Sequence, residues 1–335
     1  MTLFAIDWGR ARIGTAISDR NWSISAPLKT IQNSPAAIGQ IAALITTNAV
    51  ERVIMGIPFS LREKSIKIDW GGFAFFESLK REVRLPFSWV DETMTTSHGN
   101  TLLAMTDMTY KKRRDNIDRM AASLILDSFI DRQRYAKKCV VAVTGRIGTG
   151  KSTVARYIEK LTQAERIDAD AVAKDLTMLG SEGCAAIRDE FGDTYFNDGE
   201  LDRKKLGHLV FSDRKQLDRL NDILHPLILY SISERIHDSD TFFTVLELPL
   251  LFEKKLYYLS DYSLLTTAKI DAILLRATKR DAVSSTYIAD IVNNQADPEE
   301  VASLSDHVVD TTGGWESGKA GIDHFIKEIY RHYER

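Results

Sequence analysis

The feature that most constrains the fold is a glycine-rich segment, GRIGTGKST, that directly follows the apolar run CVVAVT. It fits the pattern G-x-x-x-x-G-K-[ST], in which backbone N–H groups and the start of a helix hold phosphate. Lys151 is then expected to reach the β- and γ-phosphates, and the Ser152 hydroxyl to hold Mg²⁺. The segment therefore predicts binding of a nucleoside triphosphate by Gly145, Arg146, Ile147, Gly148, Thr149, Gly150, Lys151, Ser152 and Thr153.

The periodicity of the apolar residues predicts two α/β domains in the 335-residue chain, in line with about 150 residues per domain. Residues 1–134 read as three strands and then alternating helices and strands, which predicts a mixed sheet. Residues 139–335 alternate between helix and strand, which predicts a parallel sheet with a helical stretch up to about position 238. The basic segment 135–138 is the predicted linker. The helices predicted in the first domain cover 35–47, 67–83 and 115–133.

The charge of the chain is unevenly distributed. The formal net charge is −3, yet residues 1–137 hold 19 Lys and Arg against 14 Asp and Glu. A basic front half favours a nucleic-acid partner there, although surface solubility explains the excess equally well. Cys139 and Cys184 form no CxxC pair, which disfavours a disulfide framework and a cysteine zinc site. With no signal-peptide pattern and no apolar run of ~18 residues, we expect a cytoplasmic protein without a membrane partner.

Two acids follow the second strand of the second domain, in the segment RIDADAVAKDL. Asp168 and Asp170 stand at the predicted carboxyl edge of the sheet. A carboxylate there can take the proton of an acceptor hydroxyl or help to hold Mg²⁺. On spacing alone, a helix N-cap followed by a first-turn acid is the more frequent interpretation of such a pair, and both interpretations stay open.

A series of motifs in residues 140–313 occurs in the same order as in a known protein family. The segments TGRIGTGKSTVA, IDADAVAKDL, FGDTYFNDGELDRKKLGHLVF, LNDILHPLI, LELPLLFE, RATKRDAV and ASLSDHVVD resemble the motifs of the dephospho-coenzyme A kinase family. The resemblance implies a P-loop NTPase kinase domain with a parallel sheet, a helical substrate region and a lid. It also implies transfer of the γ-phosphate of ATP, with Mg²⁺, to the 3′-hydroxyl of dephospho-coenzyme A.

The same resemblance implies roles for individual residues. Asp170 matches the general base, and Asp168 supports it or contacts the metal. Arg276 and Arg280 match a basic lid that closes over the nucleotide, where cationic groups meet developing phosphoryl charge. The matched positions on the acceptor side are Arg203 and His225.

The second domain departs from the family pattern at two places. Arg146 stands where the family usually has Gly, and Thr311 and Thr312 stand where it usually has Asn. Neither departure touches Lys151, Ser152 or Asp170, so we expect activity to survive. A GTPase is the competing interpretation of the loop, but the segment TAKID lacks the Asn or Thr that a guanine-reading motif has directly before its Lys.

Three acids stand out in the first domain: Asp7 in AIDWGRARIG, Glu92 in WVDETMTT and Asp118 in NIDRMAASLIL. Acids at two strand ends and on a facing helix can converge on one or two Mg²⁺ ions and hydrolyse phosphodiesters. Surface acids and helix caps explain the same spacing. The motifs DWGRARIGTAISD, MGIP and VDETMTT, with the NIDRMAASLILDSFI helix, resemble the ribonuclease H-like family of Holliday-junction resolvases and pre-16S rRNA nucleases. The resemblance implies that these three acids bind the catalytic metal.

This domain also departs from its family, at Thr93 where Arg is common and at Lys64 where Gly is common. Three hypotheses therefore stay open: a second, nuclease activity on RNA or DNA, a nucleic-acid-binding module, and a structural domain. The basic segment 111–115 before Asp118 either holds a phosphate backbone or is a solvated loop. The actin-like relative of this fold, whose first loop also reads D-x-G, needs far more than about 135 residues.

Overall fold

The computed structural model describes residues 1–57, 70–91, 110–135, 138–281 and 284–333, but not the side chains at positions 70, 91, 110–119, 135, 211 and 281. These residues form two compact units. Ile167–Asp240 make up the smaller unit, and the described residues on either side of that segment make up the larger one.

The first sheet of the larger unit is formed by the strands β1 (Thr2–Trp8), β2 (Arg12–Ser18), β3 (Ser25–Gln32), β4 (Val50–Ile57) and β5 (Phe87–Asp91). Its order is β3-β2-β1-β4-β5. The central strand β1 pairs antiparallel with β2 and parallel with β4, and β4 pairs parallel with β5. The mixed sheet predicted from the sequence is confirmed.

Helices α1 (Ala37–Thr47), α2 (Trp70–Val83) and α3 (Tyr110–Tyr135) accompany this sheet. Helix α3 crosses it with an apolar stripe at helical spacing that includes Ile125 and Phe129, both 0% exposed. The helices predicted over 35–47 and 115–133 are therefore confirmed as α1 and α3. The stripe packs in one core with Met1, Leu3, Ala5, Ala16, Ile54, Val90, Ala122, Leu126 and Ile130.

The second sheet has the order β12-β11-β6-β10-β7, with β6 in the centre. Strand β6 pairs parallel with β10 and β11, and β11 pairs parallel with β12. The parallel sheet predicted around the phosphate-binding loop is confirmed. Its strands are β6 (Cys139–Gly145), β7 (Glu165–Asp168), β10 (Phe243–Glu247), β11 (Tyr262–Thr267) and β12 (His307–Asp310).

The helices of the larger unit in this region are α4 (Lys151–Thr162), α9 (Ile270–Asp281), α10 (Ser285–Asn293), α11 (Pro298–Leu304) and α12 (Lys319–Tyr333). Helices α4 and α12 share the core of the sheet through Val154, Ile158, Phe325 and Ile329, which pack with Val141 and Val143 of β6.

The smaller unit contains helices α5 (Ala169–Asp175), α6 (Glu182–Phe191), α7 (Arg203–Ser212) and α8 (Arg214–Asp238). The predicted helical stretch is interrupted here by a two-stranded hairpin, β8 (Phe196–Asn197) and β9 (Glu200–Leu201). The dipeptide Asp198-Gly199 forms its turn, and both residues have positive φ, 47° and 86°. Within the described residues, no helix combines the length and the apolar character that a membrane crossing requires.

Candidate nucleotide-binding site

The phosphate-binding loop leaves the centre of the second sheet at a position that only glycine can occupy. Gly145 ends the buried strand β6 with φ of +142°, and a Cβ there would lie 2.3 Å from the backbone oxygen of Thr266. Gly148 and Gly150 also have positive φ, 74° and 87°. Because L side chains rarely adopt this conformation, the glycines predicted from the motif are required by the backbone path of the loop.

Helix α4 begins at Lys151 without a side-chain cap. Its N-cap residue is Gly150 in the left-handed conformation, which makes no side-chain cap hydrogen bond. Because no side chain of Gly150 covers the amino end of this helix, the positive end of the helix dipole faces the position where phosphate would bind. The loop predicted from the motif therefore has the geometry of an anion site.

The hydroxyl of Ser152 donates a hydrogen bond to the carboxylate of Glu247. Glu247 ends strand β10 and is 5% exposed. Its second oxygen contacts Nη1 of Arg166 at 3.2 Å, and Arg166 also contacts Glu159 at 3.1 Å. A serine hydroxyl and a carboxylate side by side are oxygen ligands of the kind that Mg²⁺ uses beside a P-loop.

Glu247 was missing from the residues predicted from the sequence. The signal that would have found it is local, because FTVLE is an apolar strand ending in an acid, as in the strand that carries the metal-binding acid of P-loop NTPases. Among the described residues, no group of three or more His, Cys, Asp and Glu side chains is arranged to hold a metal ion by itself. A cation at this place would therefore take most of its ligands from phosphate and water.

Arg146 contacts a neighbouring turn of the protein. Its Nε and Nη2 both donate to the backbone oxygen of Ala296, at 3.0 and 2.7 Å. The side chain of Gln295 accepts from the N–H of Ile147 at 3.1 Å. The loop is thus tied to the turn between α10 and α11, and Nζ of Lys151 bonds to the carbonyl of Arg146 at 3.0 Å. The departure from glycine at this position has a structural role in this chain.

Arg276, predicted to lie on the lid, projects from α9 onto the segment that departs from the family pattern. Its guanidinium donates to the backbone oxygens of Thr311 and Thr312, at 2.5 and 3.0 Å. The hydroxyl of Thr311, which is 0% exposed, donates to the carbonyl of Thr149 at 2.7 Å. The buried hydroxyl of Thr311 therefore joins the phosphate-binding loop to the segment after β12, and Arg276 of α9 contacts the same segment. The second predicted lid residue, Arg280, lies one turn further along α9.

The predicted acceptor-side residues all lie in the smaller unit. Asp168 is the N-cap of α5, where its side chain accepts from the N–H groups of Asp170 and Ala171 at 3.0 and 3.2 Å. Asp170 is exposed in the first turn of that helix. Arg203 donates to the carbonyl of Lys174 near the end of α5, at 3.1 Å. This unit thus brings the two acids and Arg203 to one helix, while His225 lies within α8.

The acids predicted in the first domain are described only in part. Asp7 lies near the end of the central strand β1, opposite Gly14 of β2. Asp118 lies within α3, although its side chain belongs to the part of the helix that is not described, as does the basic segment 111–115. Glu92, like the departures at Lys64 and Thr93, falls outside the described residues.

The parallel sheet, the glycine loop and the Ser152–Glu247 pair define a P-loop nucleotide-binding protein. A sequence profile of dephospho-CoA kinase matches residues 139–317, and the chain belongs to that family. A profile of Holliday junction resolvase matches residues 1–132, so the N-terminal domain, with its ribonuclease H-like sheet, is a resolvase-like domain fused to the kinase domain.

Individual relatives match the kinase domain. The dephospho-CoA kinase of Aliivibrio fischeri is 36% identical over 171 residues, which cover 51% of this chain and 94% of the relative. That of Carboxydothermus hydrogenoformans is 35% identical over 187 residues, covering 55% and 90%. A crystal structure of a protein from Thermus thermophilus, 27% identical, superimposes with a TM-score of 0.51 over 57% of this chain and 98% of that chain.

Proposed function

We propose that the kinase domain transfers the γ-phosphate of ATP to the 3′-hydroxyl of dephospho-coenzyme A and so forms coenzyme A and ADP. The observation that carries the proposal is the uncapped glycine loop and helix α4 with Ser152 bonded to the buried carboxylate of Glu247. Together they supply N–H donors for phosphate and oxygen ligands for its Mg²⁺. The family match supports dephospho-coenzyme A as the acceptor.

On the nucleotide side, Lys151 exchanges its contact with the Arg146 carbonyl for the β- and γ-phosphates, which it neutralises in part. Ser152 and Glu247 would hold Mg²⁺, which when bound offsets the charge of the phosphates. Arg276 and Arg280 belong to the lid helix α9 and bring cationic donors to the developing charge.

On the acceptor side, Asp170 takes the proton from the attacking 3′-hydroxyl as general base. Asp168 orders the first turn of α5 by its two N-cap bonds and so positions Asp170. Arg203 and His225 are assigned to contacts with the acceptor.

The first experiment is the release of ADP by the full-length protein from ATP and Mg²⁺, with and without dephospho-coenzyme A. We expect turnover that depends on the acceptor and that is abolished in Lys151→Ala, because the γ-phosphate loses its neutralising cation. Near-normal turnover of Lys151→Ala would refute the P-loop assignment. Bound ATP without acceptor-dependent turnover would mean that Arg146 or the Thr311-Thr312 segment has changed the acceptor.

A second activity is proposed for the N-terminal domain, metal-dependent hydrolysis of structured RNA or DNA. It is supported by the place of Asp7 at the end of the central strand of a mixed sheet and by the resolvase family match. Cleavage of end-labelled structured RNA and DNA by the full chain, with Mg²⁺ and with EDTA, tests it. Cleavage by the unaltered protein that is lost in Asp7→Asn would support the proposal. Binding of nucleic acid without cleavage would indicate a nucleic-acid-binding module. If the protein shows neither binding nor cleavage, the domain is structural.

A further inference from the structure

A fully buried arginine lies where the N-terminal domain meets the kinase domain. Arg52, in the first half of β4, is 1% exposed. Its Nη1 donates to Oγ of Ser88 in β5 at 2.6 Å and to the backbone oxygen of Asp261 at 3.3 Å. Because a buried guanidinium without partners is strongly destabilising, this residue requires the kinase domain beside it.

The carboxylate of Asp261 is shared by both domains. It is 4% exposed and directly precedes β11. Its Oδ1 accepts from Oγ of Ser88 at 2.8 Å and pairs with Nη2 of Arg132 at 2.7 Å. Its Oδ2 accepts from the N–H of Val140, in the first strand of the kinase domain, at 3.0 Å. One side chain of the kinase domain therefore satisfies donors on two elements of the N-terminal domain.

Aromatic rings complete the surroundings of Arg52. Its guanidinium lies 4.3 Å from the ring centroid of Tyr262, a cation–π distance. Burial by itself lowers the pKa of Arg52, but the electrostatic effects of Tyr262, Tyr333 and Asp261 outweigh burial and raise it. The group is therefore charged at any pH at which the protein folds.

Two further sets of contacts extend the junction over α2. Lys80 pairs with Asp306, which directly precedes β12, and both side chains are nearly buried. The ring centroids of Phe76 and Tyr257 lie 4.4 Å apart. The ring of Trp89, in β5, also stacks on Tyr257, with 5.8 Å between the centroids. Burial of large aromatic pairs adds apolar contact area to the charged contacts.

The junction joins the amino ends of the parallel strands in both sheets. Arg52 and Ser88 are the third and second residues of β4 and β5, and Asp261 directly precedes β11. Asp7 and the phosphate-binding loop lie at the carboxyl ends of β1 and β6. Strand β5 is also an edge of the first sheet. An edge strand presents unpaired backbone N–H and C=O groups, and packing another element against it prevents unwanted pairing with other chains.

We infer that the N-terminal domain is a permanent docking partner of the kinase domain, and that the two unfold together through the Arg52–Ser88–Asp261–Arg132 network. The alternative is two independent domains on a linker, each of which unfolds alone. The inference rests on the contacts of the junction and holds whether or not either proposed activity is found.

Pulse-labelling hydrogen exchange of the full-length protein in stepped urea distinguishes the two cases, because peptides from β1 and from β10 report on each domain separately. We expect both peptides to lose protection at the same urea concentration. Two well-separated midpoints in the unaltered protein would overturn the inference, and this comparison does not depend on any variant.

Reciprocal variants sharpen the test. Arg52→Met changes the N-terminal domain, and we expect it to lower the urea midpoint of the β10 peptide, which lies in the kinase domain, by roughly 1 M or more. Asp261→Asn changes the kinase domain, and we expect a similar decrease in the urea midpoint of the β1 peptide, which lies in the N-terminal domain. The exposed residues Arg20 and Glu316 provide matched controls, Arg20→Met and Glu316→Gln, which should move neither midpoint. A variant that moves only the midpoint of its own domain would contradict joint unfolding.

Discussion

In the proposed reaction, the acceptor chemistry depends on Asp170 as the general base. Asp170→Asn is expected to lower turnover by roughly 10²–10⁴-fold, because an amide cannot accept the proton of the 3′-hydroxyl, while the KM for ATP stays close to its original value. Asp175→Asn is the matched control, since Asp175 lies on the same helix and its carboxylate pairs with the exposed Arg235. An equal loss of ATP affinity in Asp170→Asn would point instead to a metal or folding role.

The carboxylate of Glu247, which accepts a hydrogen bond from Ser152, is expected to strengthen Mg²⁺ binding. Glu247→Gln keeps the size of the side chain but removes the charge beside Ser152, so the Mg²⁺ concentration for half-maximal turnover should rise roughly 10–100-fold. Glu159→Gln is the control, because Glu159 shares Arg166 with Glu247 but does not contact Ser152. If both variants behave alike, the effect comes from the position of Arg166.

Single residues differ in how far the sequence predicts them. The glycines of the loop follow from a local pattern, and the structure shows why they are needed at Gly145 and Gly150. Glu247 is equally local in the sequence, but the apolar residues that predict the strand do not by themselves assign a role to the acid at its end. The role of Arg146 could not be predicted, since its partner is the backbone of Ala296, 150 positions away.

The end of β12 and the segment after it form an element that couples two parts of the nucleotide site. Thr311→Val keeps the shape of the side chain but leaves the carbonyl of Thr149 without its hydroxyl donor. We expect the free energy of unfolding to fall by about 1–3 kcal/mol, as for other buried groups that lose a partner, and the KM for ATP to rise. Urea unfolding and initial-rate kinetics measure the two effects. An unchanged KM with lowered stability would restrict Thr311 to a structural role.

The packing of β12 against α12 should make stability depend on pH. His307 stacks on Phe325 at 4.8 Å, and burial, partly opposed by Glu328 and reinforced by His324, lowers its pKa below 6.5. A lowered pKa means that the unfolded chain binds the proton more readily, so stability is lost as pH falls from 6.5 towards the folded-state pKa. Urea midpoints at pH 8 and 5 should therefore differ less in His307→Gln than in the unaltered protein. His208→Gln, at an exposed position, should leave the difference unchanged.

The strands and helices followed from the sequence wherever apolar periodicity was long enough. Helix α3 was predicted from its stripe of apolar residues, although it begins at Tyr110, before the first apolar position of the pattern. The hairpin at Asp198-Gly199 was missed because its strands have two residues each, too few for alternation to appear. The turn dipeptide Asp198-Gly199 was the one local signal that indicated a hairpin.

The relation between the two domains could not be predicted from the sequence, because contacts such as that of Arg52 with Asp261 join residues 209 positions apart. A buried arginine at position 52 resembles any strand residue until its partner is known. The sequence predicted a boundary at 135–138, and the family matches end and begin at 132 and 139. The family matches thus divide the chain into two domains, whereas the buried contacts of Arg52 and Asp261 hold those two domains together.

The two proposed activities should not interfere with each other in one molecule. Because the docking contacts lie at the amino ends of the strands, whereas Asp7 and the phosphate-binding loop lie at carboxyl ends, a nucleic acid on the N-terminal domain should not compete with ATP. The rate of ADP formation at an ATP concentration near KM should therefore stay constant as structured RNA is added to saturation, with binding followed by fluorescence anisotropy in the same samples. Free Mg²⁺ must be held constant, since RNA withdraws it from solution. A rate that falls in step with RNA binding would mean that the two sites share a surface, and an Asp7→Asn variant that still binds RNA would then show whether cleavage or occupancy is responsible.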